Sequence, residues 1–378
     1  MSTARRNAAV LVGNGLSIAF NPDLNLQSIT EEVMGRIRSA DGDDVVVAMR
    51  EIAERALPQG ATGAEDFEML VGAFGAESHT LGILHSLAEL TDPSDEKLLK
   101  AIKRVAEFAE QVRDSGISHV LEVIAERSHA YIGEAEHLHS LIESIIGEFD
   151  GRVTFGNLNY DTLLLAALLH ACQEDLADMG HGWRTVRVTV EDDEDREVQA
   201  LRRRASDFPS GRRVKLLHLH GSLTYWATRD ETIHAKLPKE MLDRNGQWKA
   251  IREQSTNVRP VVVLASQRDK AEHVTRYPFR LAYEVFENEL GESDYWLVIG
   301  YSFRDTPVNL MLQNEFSERD PKPKVLVVTY GAEPTRRAIE KAFGWGVEDG
   351  SSEDWLTINR QGANGAQKSS DWEHFVSA

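Results

Sequence analysis

The stretch Ala8-Ala9-Val10-Leu11-Val12-Gly13-Asn14-Gly15-Leu16-Ser17 sets how the rest of the chain is read. Residues 7–13 are an apolar run ending in glycine, the pattern of a buried strand. Gly13-Asn14-Gly15 then turns the chain towards a helix. Glycines at such a turn let backbone N–H groups approach a pyrophosphate, and Ser17 adds a hydroxyl. Gly13, Asn14, Gly15 and Ser17 are therefore candidate dinucleotide-binding residues. The turn falls short of a full G-x-G-x-x-G, because Ile18 stands at the third glycine position. No clear acidic residue follows at the ribose distance of a βαβ unit. The competing reading is a tight strand-to-loop turn that holds no ligand.

Outward from that turn the periodicity changes. From about 26 to 149, helical spacing of apolar residues recurs at Ile29–Ile37, Val45–Leu57, Glu65–Phe74, Thr80–Leu90, Asp95–Val112 and Ile117–Ile146. Within Glu96–Val105, Leu98, Ala101, Ile102 and Val105 fall on one face. Strand-like runs resume at 152–157 and recur at 185–190, 214–220, 260–265, 295–301 and 324–330, with helical patterns between several of them. Near-continuous apolar strands alternating with helices predict a parallel sheet covered on both faces. The expected fold is α/β: a Rossmann-like parallel sheet of about six or seven strands with a large all-helical insertion. Residues 1–25 and 150–345 are expected to form the nucleotide-binding domain, 26–149 a helical subdomain and 346–378 a C-terminal tail. In that tail, 361–367 reads as a flexible linker before the aromatic segment Trp372–Phe375.

Composition narrows the class. The 378 residues are 42% hydrophobic and 27% charged, ordinary for a globular protein with a sizeable core. No apolar run approaches the ~20 residues of a membrane span. The apolar stretch from Ala8 to Val12 is too short for a signal peptide, so a cytoplasmic protein is expected. The single cysteine, Cys172, excludes an internal disulfide and any multi-cysteine zinc site. A net charge of −19 argues against direct nucleic-acid binding. Arg202-Arg203-Arg204 and Arg212-Arg213-Val214-Lys215 are locally basic, and the acidic run 191–195 just upstream is expected to pair with them across a solvated loop.

Two further segments carry chemistry. Asn159-Tyr160-Asp161 follows the strand-like run 153–157. The Asn159 amide can hold a hydroxyl or a water, and Asp161 can accept hydrogen bonds from ribose. The competing role for Asp161 is to cap the helix that begins at Thr162. His218-Leu219-His220-Gly221-Ser222 ends another strand, and period 2 sets both histidines on one side of it. His220 is a candidate general base. A metal pair is disfavoured because no clear third ligand accompanies the histidines. His137 and His139 lie in a helical run where i and i+2 do not share a face, and read as structural.

Gly13-Asn14-Gly15-Leu16-Ser17, Asn159-Tyr160-Asp161, His220-Gly221-Ser222 and Ile299-Gly300-Tyr301-Ser302, in that order, resemble the sirtuin (silent information regulator) family. Sirtuins carry a Gly-Ala-Gly-x-Ser loop, an Asn-x-Asp segment, a His-Gly segment with the catalytic histidine and an Ile-Gly-x-Ser segment. Two departures stand out. The four zinc-binding cysteines of the protein-deacylating members are missing, and Ile18–Asp23 lacks the loop arginine. The variants here are similar to the zinc-free sirtuin-like proteins of bacterial anti-phage systems, most of all the subunit that pairs with a HerA-type hexameric ATPase.

That resemblance implies an NAD+ hydrolase that depletes NAD+ on infection, with NAD+ as substrate and no zinc or other metal. It implies catalysis by His220 and Asn159, with Asp161 at the nicotinamide-ribose end. Gly13, Asn14, Gly15 and Ser17 would seat the phosphates, and Gly300 and Ser302 would lie near the adenosine half. Arg304 and Asp305 read as a local ion pair or an interface. A free NAD+ hydrolase would harm its own cell, so activity gated by homo-oligomerisation and by an ATPase partner is expected. The rival reading is a non-catalytic sensor of NAD+ or ADP-ribose. An NAD-dependent deacylase is weakened by the missing cysteines.

Overall fold

The computed structural model describes residues 5–56, 84–90, 96–130, 135–189, 195–242, 245–264 and 267–377. At its centre is a seven-stranded sheet, all parallel. Its strands are β1 (Ala8–Val12), β2 (Val153–Asn157), β3 (Leu176–Asp178), β6 (Val214–His218), β10 (Tyr295–Ile299), β11 (Lys324–Val328) and β12 (Leu356–Asn359). Their order is β12-β11-β10-β1-β2-β6-β3.

Both faces of the sheet are buried, as continuous apolar strands require. Ala8, Val10 and Val12 of β1 enter one core, with the helices Leu26–Asp41, Glu96–Ala130, Ala135–Glu148 and Leu163–Cys172. Ala9 and Leu11 enter the other, with the helices Phe279–Glu292, Thr306–Glu318 and Arg336–Ala342. Gly156 in β2 leaves room for the Phe286 ring, since a Cβ there would stand 2.8 Å from it.

The described elements between β1 and β2 are all helical. Asn25 caps Leu26–Asp41, its side chain accepting from the N–H groups of Gln27 and Ser28. Arg127 and Arg36 pair with Glu32 and Glu126, tying that helix to Glu96–Ala130. The break expected between 112 and 117 is absent: one helix runs from Glu96 to Ala130 through Gly116. A glycine inside a helix costs only about 1 kcal/mol, too little to stop one held by packing. The helix expected at Glu65–Phe74, and Thr80–Ile83 of the next, lie outside the described residues.

Two expected strands belong elsewhere. The runs at 185–190 and 260–265 are not in the parallel sheet. They form β4 (Thr185–Thr189) and β9 (Val258–Val262) of a separate antiparallel sheet with β5 (Asp195–Ala200), β7 (Gly221–Thr228) and β8 (His234–Lys236), in the order β4-β5-β8-β7-β9. The physical reason is connection length. A parallel neighbour needs a crossover of a dozen or more residues, whereas β4 and β5 follow each other closely and pair antiparallel.

The parallel sheet is completed instead by two short strands, β3 and β12. β12 lies inside the stretch expected to be a tail. So does the helix Ser370–Ser377, whose Phe375 packs on Phe149 and Tyr295. The expected linker 361–367 is also built in: Gln361 bridges to Tyr330, and Ala363 and Ala366 are buried.

Within the basic segments, Arg202, Arg213 and Lys215 have partners inside the fold, while Arg203 and Arg204 are exposed. Arg202 is fully buried and donates to the carbonyls of Asp178, His181 and Asp207. Arg213 pairs with Asp175, and Lys215 with Glu289. The acidic residues 191–194 lie outside the described residues.

Candidate active site

The chain leaves β1 to build β2, β6 and β3 on one side, then returns to place β10, β11 and β12 on the other. The carboxyl ends of β1 and β10 therefore flank a switch point, where open α/β sheets bind ligands. A cavity of about 380 Å³ opens there, within the usual size range of ligand pockets. Gly13, Asn14, Gly15, Asn159, Asp161, His220, Gly300 and Ser302 all line it. Of the sequence candidates, only Ser17 is not among its lining residues.

The glycines act first on each other. Gly13 N–H donates to Ile299 O and Gly15 N–H to Gly300 O, both at 2.9 Å. Cβ atoms on Gly13 and Gly15 would stand 2.7 Å and 2.6 Å from atoms of Gly300. Gly300 itself has φ +64°, which favours glycine. The turn after β1 is thus pressed onto the end of β10. The amides of Gly13 and Gly15, expected to face a pyrophosphate, are engaged by β10 instead.

Ser17 is also engaged. Its hydroxyl donates to Asp161 Oδ2 at 2.6 Å and accepts from Asn159 Nδ2 at 2.9 Å. Asn159 Nδ2 also donates to Gly13 O at 3.1 Å, and that carbonyl fixes which way the amide points. The N-cap of the helix Leu163–Cys172 is Thr162 and not Asp161, but Asp161, one residue earlier, accepts from Leu163 N–H through Oδ1 and so still holds the first turn. Burial pushes the Asp161 carboxyl up, against the lowering by Ser17 and the Leu163 amide.

His220 sits where the two sheets meet. It leaves β6 and precedes β7, and its carbonyl accepts from Val263 N–H at 2.9 Å. Gly221 makes the change of direction at φ +87°, in a space where a Cβ would stand 2.2 Å from Val261 O. His220 Nε2 is 3.5 Å from Asp305 Oδ2 and 3.5 Å from the Tyr283 hydroxyl. Lys270 Nζ is 3.2 Å from the same Asp305 oxygen. Asp305 Oδ2 makes no hydrogen bond to the described residues at these distances, so the three groups meet as a buried charge cluster, in which an imidazole beside a carboxylate can serve as a base.

Asp305, Lys270 and Tyr283 are the residues that sequence reasoning missed. Asp305, expected to form an ion pair with Arg304 or to serve an interface, faces His220 and Lys270, while Arg304 is exposed. Asp305 also caps the helix Thr306–Glu318 through Val308 N–H. The Tyr301 hydroxyl donates to Asp305 O and Asn309 Oδ1, and Asn309 Nδ2 to Phe303 O, which stiffens the loop that carries it. Phe303 is held at φ +58° in that loop, a strained conformation for a non-glycine residue.

His218 stays apart from this cluster. Its Nδ1 accepts from Asn157 Nδ2 at 3.3 Å, and its ring stands edge-on to Tyr225. Burial pushes it down to about 4, so it is neutral and structural. Among the described residues, no group of three His, Cys, Asp or Glu side chains is placed to hold a metal ion. His139, expected to be structural, stacks on His170 at 4.1 Å.

A second cavity of about 710 Å³ shares Gly15, Gly300, Ser302 and Arg304 with the first. It extends over the ends of β11 and β12, past Thr329 and Gly362. The Gly15–Gly300 contact is the common wall, so the site has two chambers with His220 in one of them.

No protein-family model matches the chain, and no curated protein matches it. Among solved structures the chain is similar to one described as "Structural Basis for the Mechanism and Regulation of Sir2 Enzymes". The identity is 14% and the TM-score 0.39, over 99% of this chain and 93% of that chain. At that distance the likeness assigns no activity.

Proposed function

We propose that this protein is an NAD+ glycohydrolase, converting NAD+ and water to nicotinamide, ADP-ribose and a proton. The observation that carries this reading is the His220–Asp305 pair beside Asn159, in a two-chambered crevice at the sheet's switch point. Cleavage of the nicotinamide–ribose bond passes through an oxocarbenium-like transition state. Nicotinamide leaves as a neutral molecule, so no general acid is needed. What is needed is a base for the attacking water, and a neutral His220 accepts that proton. Asp305 orients the ring and stabilises the imidazolium that forms. Asn159, fixed by Gly13 O and Ser17, orders the ribose or the water. The second chamber has the volume for the adenosine half.

We place the activity in bacterial anti-phage defence, by a zinc-free sirtuin-like enzyme that works as a homo-oligomer with a HerA-type hexameric ATPase. The support is the resemblance of the four motifs, and for assembly the exposed apolar side chains of the helical region, among them Leu87, Leu90, Val105 and Phe108. No described helix is long and apolar enough to cross a membrane.

The deciding experiment incubates the pure chain with NAD+, alone and with the ATPase, and measures nicotinamide and ADP-ribose. His220→Ala and Asn159→Ala are expected to abolish release while retaining the fold. NAD+ that stays intact with both proteins present, or variants that cleave it at the wild-type rate, would refute the reading. Light scattering on the same samples tests assembly. A strict monomer, fully active and blind to the ATPase, would remove the gating proposal.

A further inference from the structure

We propose that Lys270 is a positioning residue for His220: its ammonium group balances the Asp305 carboxylate and so keeps the neighbouring imidazole uncharged, ready to accept a proton. The inference rests on reading His220 as the general base.

Lys270 is 4% exposed, as buried as His220 at 4% and Asp305 at 6%. Lysine is almost never so buried unless paired. Here one carboxylate oxygen faces two basic groups, Lys270 Nζ at 3.2 Å and His220 Nε2 at 3.5 Å. A buried carboxylate facing an imidazole alone draws a proton onto the ring, and a protonated ring cannot act as a base. An ammonium paired with that carboxylate at the shorter distance offsets its charge, and its own positive charge opposes a second one nearby.

The surrounding groups leave this task to Lys270. The helix Gln267–His273 contributes Lys270, and the loop before Thr306–Glu318 contributes Asp305 and Arg304. Arg304 is exposed and therefore screened by water. The turn after β2 contributes Tyr160 and Asp161, the latter held by Ser17 and Leu163. The helix Phe279–Glu292 contributes Tyr283, and the loop after β10 Tyr301. Burial pushes both phenols well above their usual range, so they stay neutral. Among the described residues, Lys270 is the buried cation set against Asp305.

The test follows the His220 ring by NMR in the full chain labelled at histidine, with the signal assigned through His220→Gln. In Lys270→Met the midpoint of the ring titration is expected to rise by about one pH unit. Lys270→Arg, which keeps the charge, is expected to stay with the wild type, and Asp305→Asn to move the midpoint down. If Lys270→Met does not fold, Lys270→Gln with a wild-type circular dichroism spectrum takes its place. A neutral substitution that leaves the midpoint unmoved or lowers it overturns the proposal. With NAD+, the acid limb of kcat/KM is expected to follow the ring; an unmoved limb also overturns it. The ring titration needs no turnover. A wild-type chain that fails to cleave NAD+ therefore sinks the glycohydrolase reading while Lys270 is still judged by its effect on the ring.

Discussion

Gly15 donates its backbone N–H to Gly300 O at 2.9 Å, and a Cβ on Gly15 would stand 2.6 Å from Gly300 Cα. The loops that close β1 and β10 therefore touch backbone to backbone, with no side chain between them. The crevice wall is this contact.

Alanine at either glycine is expected to open the wall. The overlap is with backbone, which cannot swing away as a side chain would. Gly300→Ala also carries the strain of φ +64°. Each substitution should cost about 1–3 kcal/mol, Gly300→Ala the more. Urea unfolding checks this, and a wild-type midpoint for Gly300→Ala would show that the loops do not pack as described.

Asn159→Asp is expected to be worse than Asn159→Ala. The amide nitrogen donates to Gly13 O and Ser17 Oγ. A carboxylate there sets an acceptor against the Gly13 carbonyl and a second charge near Asp161. Loss of a buried donor costs about 1–3 kcal/mol, and the added repulsion raises the figure. Thermal melts of the two variants at pH 7 should rank in that order. Equal stability would mean that the donor network is not formed.

Asp305→Asn separates charge from geometry. Asparagine still caps the helix Thr306–Glu318, since its carbonyl can accept from Val308 N–H. It cannot pair with Lys270 or stabilise an imidazolium on His220. The expected loss of turnover is about 100-fold or more, the usual contribution of an assisted base. Removing one partner of a buried pair should also destabilise the fold by about 3 kcal/mol. Steady-state kinetics with NAD+ decides, and turnover near wild type would remove Asp305 from the mechanism.

Stability is expected to fall as pH drops from 6.5 towards 4. His218 is held down to about 4 by burial. His119 is also held down to about 4, by burial and then by Arg252 and Arg36. Between these values and 6.5 an unfolded histidine takes up a proton that the folded one refuses. The stabilisation is therefore full above 6.5 and is lost as pH falls to 4, by about 3 kcal/mol for a fully buried histidine. Asp161, pushed up by burial, has the opposite sign and offsets part of the loss at the acid end. Melting temperatures at pH 7, 6, 5 and 4 should decline, and less steeply for His218→Gln. Parallel curves for the two proteins would contradict the assignment.

Much of the site was legible in local sequence. Gly13, Gly15, Asn159, Asp161, His220 and Gly300 each close an apolar strand, and strand ends of a parallel sheet share one edge. Periodicity could not show which strands share a sheet. The run from 260 looks as apolar as its neighbours, and the short alternation Thr185-Val186-Arg187-Val188-Thr189 is the one local hint of a half-exposed strand, yet both belong to a second, antiparallel sheet. Nor could it show β12, whose four residues are too few to reveal a period.

The sequence alone determined the glycine turns, the helical character of the described residues between β1 and β2, and the single cysteine that rules out a multi-cysteine zinc site. These depend on residue type and spacing within a few positions, where backbone sterics and side-chain periodicity act directly. Only the tertiary structure decided that Ser17 bonds to Asp161, 144 residues away, and that Lys270 and Asp305 converge on His220. Those meetings depend on strand order and on helices crossing the sheet edge. A lone lysine in a short helix, or a lone aspartate at a helix start, carries no local signal of the partner it will find, because packing of the whole chain selects that partner.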